Sequence, residues 1–268
     1  QIRRGADFIK VMATGARSVE LEAGLVTDPC GGAAGMPAQL TRSELRAAVE
    51  EAGRMGYAVA AHAEGLAGCE AAIGLGTRTI EHGMYLHQRP DLLARMAELG
   101  IALVPTLSSS YWMAGRDDQI GLAAEGRRTW TADLDRNAHI NIAHSELTIQ
   151  AAHAAGTPIA LGGDAMHNKG GAWIEILRMI HHGLPARAAL AASTSAAAHA
   201  IGLGHLAGTI APGMLADLVV IDGDPVAQPE LLGDPARIWL VLQAGQPVAG
   251  TALEVSLHTL AAATTAPT

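Results

Sequence analysis

The chain has 268 residues, 49% of them hydrophobic and 16% charged, a globular composition with length enough for one substantial core. A net charge of −8 and only 3% aromatic residues argue against a nucleic-acid binder, which would show a basic face and stacking platforms. The uncharged stretch 188–210 is full of Ala, Ser, Thr and Gly and lacks the large apolar residues of a membrane span. Two cysteines, Cys30 and Cys69, form no CxxC and are too few for a disulfide scaffold, so free thiols are expected.

Strand patterns fall at 6–12, 57–62, 78–82, 101–106 and 158–164, and helical patterns lie between them. Thr41 followed by Glu44 reads as a capping box opening a helix to about 55. Further helices are expected over 90–99, stopped by Gly100, over 117–155, stopped by Gly156, and over 173–182 and 185–201. Strand and helix in alternation mean βα units and a parallel sheet. The steps of 20 residues from His62 to His82 and 24 from His82 to Thr106 are single βα repeats of a TIM-type (β/α)8 barrel. Five strands leave such a barrel open, so the chain is expected to begin at about its fourth strand. After Gly204 the texture changes: a Pro-Gly turn, a strand over 216–221 and a hairpin around Ala244-Gly245 read as a small β-rich appendage. The expected division is 1–204 for the barrel part and 205–268 for part of a small β-sandwich with a fraying tail.

Lysine is scarce here: only Lys10 and Lys169 occur. Lys10 sits inside an apolar strand, where lysine is rarely buried without a partner or a task. AAHAEG (60–65) ends a strand on His62, TIEHG (79–83) ends one on His82, and ALGGDA (160–165) ends one on Asp164. In βα barrels the C-terminal strand ends carry the active site. Alternation puts Ala60 with His62, Ile80 with His82, and Gly162 with Asp164 on common faces, with the glycines leaving room for an ion and water. Each residue alone could be structural; four ionisable groups at four strand ends read as a metal site. An ammonium repels cations, but an amine that captures carbon dioxide becomes an anionic carbamate, which arginine cannot do.

These motifs, ADFIKVMATG, VAAHAEG, TIEHG, ALVPTL and LGGDA, with GTIAPGMLADLVVIDGDP further on, resemble the amidohydrolase superfamily. The resemblance is strongest to its imidazolonepropionase-like and Xaa-Pro dipeptidase-like branch. It implies two divalent metal ions, usually zinc, bridged by a carboxylated Lys10. His62 and His82 would bind one ion, and Asp164 would bind the other and move protons. The implied reaction is hydrolysis of an amide-like C–N bond in a dipeptide, N-acyl amino acid, carbamate or urea by a metal-bridging hydroxide. The family's HxH pair has no counterpart in this chain, where His181 and His182 are merely adjacent. Alternatives are a mononuclear deaminase of the same superfamily and an inactive truncated barrel. Tyr111 and Arg116 in SSSYWMAGR (108–116), and His167, are candidate substrate contacts; the first two are as readily an ordinary loop. Glu64 could stand behind His62 or as easily be a solvated loop acid, Glu81 should point away from the mouth, and His139, His144 and His153 read as packing or surface residues. GLGTRT from Gly74 is no dinucleotide fingerprint. The partner expected is a small-molecule substrate, with no nucleic acid or membrane; homo-oligomerisation is open, and the cytoplasm is favoured without a targeting signal to decide it.

Overall fold

The structure, a computed structural model, describes residues 2, 5–15, 37–114, 132–164 and 171–253. Strands and helices alternate as β1 (Ile9–Met12), α1 (Arg42–Arg54), β2 (Val59–Ala63), α2 (Leu66–Gly74), β3 (Thr79–His82), α3 (Pro90–Leu99) and β4 (Ala102–Val104). The four strands pair in parallel in the order β1-β2-β3-β4, and each parallel pair is joined by a helical crossover, as parallel pairing requires. The predicted capping box opens α1: Thr41 accepts from the Glu44 N–H while the Glu44 carboxylate accepts from the Thr41 N–H.

The expected strand over 158–164 joins β4 through a single parallel bridge, Leu103 to Ile159. Leu103 N–H donates to Pro158 O at 2.8 Å and Ala160 N–H to Leu103 O at 2.9 Å. The ladder then stops, because its next donor would be the nitrogen of Pro105, which carries no hydrogen. On the other edge of the segment, Leu161 N–H donates to Ala192 O at 2.8 Å.

Alternation sends Val11, Ala61, Ala63, Ile80 and Leu103 to the helix side, where they pack with Leu45, Ile73, Leu86, Leu93 and Met96. The opposite face carries a small cluster of Ala102, Val104, Ala160 and Ala200. The glycine at 162 belongs to this face. A Cβ there would lie 2.4 Å from Val104 Cγ1, so Gly162 admits Val104 rather than leaving the expected space for an ion.

The remaining helices are α4 (Leu107–Met113), α5 (Ala132–Ala154), α6 (Ala172–His181), α7 (Ala186–Ser193) and α8 (Ser195–Ala200). The first part of the long helix expected over 117–155 lies outside the described residues. The helix expected over 185–201 is broken at Thr194, whose φ and ψ are −125° and −92°. Residues 108–113, read as loop, are helical. Leu107, Tyr111 and Ala114 form its buried side, while the serine run, weakly helical by propensity, masked the period. No helix among the described residues is long and apolar enough to cross a membrane.

The appendage is a three-stranded antiparallel sheet, β5 (Leu218–Ile221), β6 (Ile238–Gln243) and β7 (Gln246–Ala249). Its hairpin turns at Ala244 and Gly245, with φ of 49° and 77°, the double positive φ that a two-residue hairpin favours.

Tyr111 clamps α4 to α6. Its hydroxyl forms a hydrogen bond with His182 Nε2 at 3.1 Å, and the Arg178 guanidinium lies 3.8 Å over its ring. Burial, then the like charges of His181 and Arg178, push the His182 pKa down to about 4.

Two tests follow from this packing. Gly162→Ala should cost about 1–3 kcal/mol by overpacking, and adding Val104→Ala should recover most of it in urea unfolding. For His182, the unfolded ring takes a proton near its ordinary 6.5 while the folded ring waits until about 4. Its contribution to stability is therefore complete above pH 6.5 and drains away as pH falls toward 4. Unfolding curves of His182→Gln should show a shallower acid decline, by at most about 3 kcal/mol; an unchanged slope would place the titration elsewhere.

Candidate active site

Parallel register sets Met12 beside His62, His62 beside Glu81, and Ala63 beside His82. Lys10, His62 and Glu81 thus lie on the face opposite the helices. Glu81 does not point away, as expected from the sequence: its Oε2 lies 3.9 Å from Lys10 Nζ. Lys10 is not buried either. Its side chain is 44% exposed, because among the described residues β1 is an edge strand with β2 alone beside it.

His82 breaks the alternation. Its φ is +70°, and the ends of the next two chain segments repeat the device, with Thr106 at +50° and Asp164 at +41°. Side chains rarely adopt this region, and for β-branched threonine it is a true outlier; such residues cluster at functional sites. The turn separates His82 from Ile80, which is fully buried on the helix side, and brings the His82 ring to the His62 ring. Their centroids are 4.5 Å apart, edge to face. The common face expected for Ile80 and His82 is therefore absent, yet the pairing of the two histidines is present.

The nitrogens of both rings can be assigned. Thr106 Oγ1 donates to Pro105 O at 2.8 Å, so it accepts from His82 Nδ1–H at 2.6 Å. This leaves the His82 Nε2 lone pair free. His62 Nε2 faces the Gly15 carbonyl at 3.4 Å, which can only accept, leaving Nδ1 free. Burial, more than any neighbouring charge, lowers the His62 pKa; Lys10 lowers it further while the Gly15 carbonyl and Asp164 oppose the shift. Burial also holds the His82 pKa well below its ordinary value, assisted by His62 and Lys10. Two neutral imidazoles, each with one basic nitrogen, are suited to a borderline cation such as Zn²⁺. Among the described residues no three His, Cys, Asp or Glu side chains gather closely enough to hold an ion by themselves, so an ion here needs ligands beyond these two rings.

Other candidates separate. Asp164 is exposed, close enough for its charge to act on His62. Glu64 is no solvated loop acid: it is 7% exposed, its N–H donates to Thr14 Oγ1 at 3.0 Å, and its carboxylate lies 4.0 Å from His62 Nε2. Tyr111 is buried and its hydroxyl is hydrogen-bonded to His182, against its reading as a substrate contact. Arg116 and His167 lie outside the described residues. His144, read as packing or surface, pairs with His87 at 3.3 Å, and His87 is held by Thr148. Thr106 and Glu175 escaped sequence reasoning. Thr106 served only to mark the end of a βα repeat, and Glu175 was not singled out, although it is fully buried.

Residues 1–248 match the Amidohydrolase family. The ochratoxinase of Aspergillus niger is 30% identical over 251 residues, covering 92% of this chain and 47% of that protein. Its crystal structure superposes with a TM-score of 0.75 at 28% identity, over 93% of this chain and 52% of that one. A Xaa-Pro dipeptidase with methionine bound in its active site superposes with a TM-score of 0.74, also at 28% identity, over 93% and 56%. The chain thus spans about half the length of the ochratoxinase it matches. With a family match over nearly its whole length and two histidines closing neighbouring parallel strands, the chain belongs to the amidohydrolase family.

Proposed function

We propose that this chain carries one side of the active site of a metal-dependent hydrolase of amide-like C–N bonds, built on strands four to eight of a (β/α)8 barrel. The observation that carries the reading is the His62–His82 pair: neutral, edge to face at 4.5 Å, each ring with one hydrogen-bonded and one free nitrogen. His62 Nδ1 and His82 Nε2 would hold a divalent ion, with Lys10 and Asp164 completing a two-ion site. Such ions polarise a carbonyl and lower the pKa of water to ~7. Asp164, exposed on a left-handed turn, would take the proton of the attacking water and return it to the leaving nitrogen. The dipeptidase and ochratoxinase likeness favours a carboxylated N-acyl amino acid or dipeptide as substrate. The smaller sheet would form part of the β-sandwich that accompanies this barrel.

In the metal-loaded protein, Asp164→Asn should lower kcat by about 10²–10⁴-fold with KM and metal content little changed. His62→Ala and His82→Ala should each lose bound metal. Near-full kcat in Asp164→Asn would move proton transfer to another group, and unchanged metal in both histidine variants would remove the ion site.

Lys10 decides between one ion and two. As an ammonium it pairs with Glu81, which favours a one-ion site of the deaminase kind. As a carbamate it is an anion that can stay beside Glu81 only with cations between them. Carboxylation should therefore depend on metal: ¹³CO₂ should give a carbamate NMR signal in loaded protein that a chelator abolishes and Lys10→Arg lacks. Loaded protein without the signal selects the one-ion reading.

A further inference from the structure

Glu175 is fully buried on the first turn of α6. A buried carboxylate is costly unless its oxygens are satisfied. Burial raises its pKa, opposed by hydrogen bonds and by Arg178. Among the described residues its hydrogen-bond partners lie in one place. Oε1 accepts from Leu107 N–H, and Oε2 from Ser108 N–H at 3.0 Å and from Ser108 O–H. These are the first two residues of α4, directly after Thr106.

Thr106 is strained, with φ and ψ of 50° and 48°. A β-branched residue stays there only if both flanks are pinned. Upstream it is pinned by Pro105 and by β4 within the sheet; downstream, by the peptides that Glu175 grips. The strain has a use: the left-handed turn aims Oγ1 at His82 Nδ1. Relaxation of Thr106 to extended backbone would carry the hydroxyl off the ring, and His82 would lose the bond that fixes its tautomer and leaves Nε2 bare.

We infer that Glu175 is a positioning residue for His82, acting through the α4 N-terminus and Thr106. This rests on the reading of His82 as a metal ligand. Groups that orient an imidazole from behind typically matter 10–100-fold in metal affinity. Glu175 does so from one residue further away, by holding the backbone that holds the hydroxyl.

The test uses Zn²⁺-loaded protein, with affinity read by competition against a chromogenic chelator well below the melting temperature. The His82 ring ¹⁵N shifts of metal-free protein are a second readout. Thr106→Val should weaken Zn²⁺ binding about 10–100-fold and move the His82 Nδ1 and Nε2 shifts toward tautomer averaging. Glu175→Gln should do the same in direction, and Thr106→Val/Glu175→Gln should bind no worse than Thr106→Val alone, since both act through one hydroxyl. If Glu175→Gln does not fold, Ser108→Ala removes one of the three bonds and should give a smaller loss with the same shift change. Wild-type affinity and shifts in folded Glu175→Gln, or in Ser108→Ala where it stands in, would overturn the proposal, as would additive losses in the double variant. His82→Ala is the control: if it keeps full Zn²⁺ affinity, the ligand reading of His82 has failed, whatever Glu175 does.

Discussion

The hydrogen bond from His82 Nδ1–H to Thr106 Oγ1, 2.6 Å long, joins the ends of two neighbouring strands across the candidate site. It depends on both residues leaving the extended conformation just past the last β3–β4 pair, Glu81 and Val104. A regular strand would have carried His82 to the helix side beside Ile80, into a core with no room for a polar ring. The left-handed turn reverses that, and Glu81 and His82 serve the same site although adjacent in sequence. Strain of order 1–3 kcal/mol per residue is thereby stored at the strand ends and held in place by the packing below. That packing is unusually fine-grained: Ala61, Ala63, Cys69 and Ala72 are all fully buried, so helix α2 lies close against β2 and the backbone has little freedom to relax.

Electrostatics sort the same residues into two groups. His62 and His82 are depressed in pKa chiefly by burial, which makes them neutral donors near neutrality. Lys10 and Glu81 stand at the open side, paired with each other and in contact with water. The imidazole pair and the charged pair are thus adjacent but distinct, and a change of charge at Lys10 would be felt at once by both histidines, whose pKa values it already helps to lower.

Much of this was legible in the chain. The repeat of about 20 residues located the βα units, and the capping box and hairpin turn were read from a few letters each. His62 and His82 were found because an ionisable residue at the end of a small-residue strand is conspicuous. Other features were hidden for physical reasons. Alternation assigns faces on the assumption of uniform extended backbone, so it misplaced Glu81 and Ile80 relative to His82; nothing in TIEHG announces a positive φ at a histidine. The burial of Lys10 was inferred from apolar neighbours, but exposure depends on which strand lies alongside. Glu175 could not be seen, because two of its three bonds come from backbone N–H groups 68 and 67 residues earlier, and backbone groups have no sequence signature. The helix at 107–113 hid behind three serines whose local hydrogen bonding ordinarily favours caps and turns.

The strand register also bears on how the site comes together in time. β2, β3 and β4 pair with partners about 20 residues apart, whereas β1 and the 158–164 segment each close a span of about 50 residues or more before meeting theirs. Short closures form first and at lower entropic cost. The two histidines lie on β2 and β3, within the short closures, while Lys10 and Asp164 belong to the segments that close the long spans. Bringing the two imidazoles together therefore costs the closure of a single βα unit, whereas bringing Lys10 and Asp164 to them costs the longer closures as well.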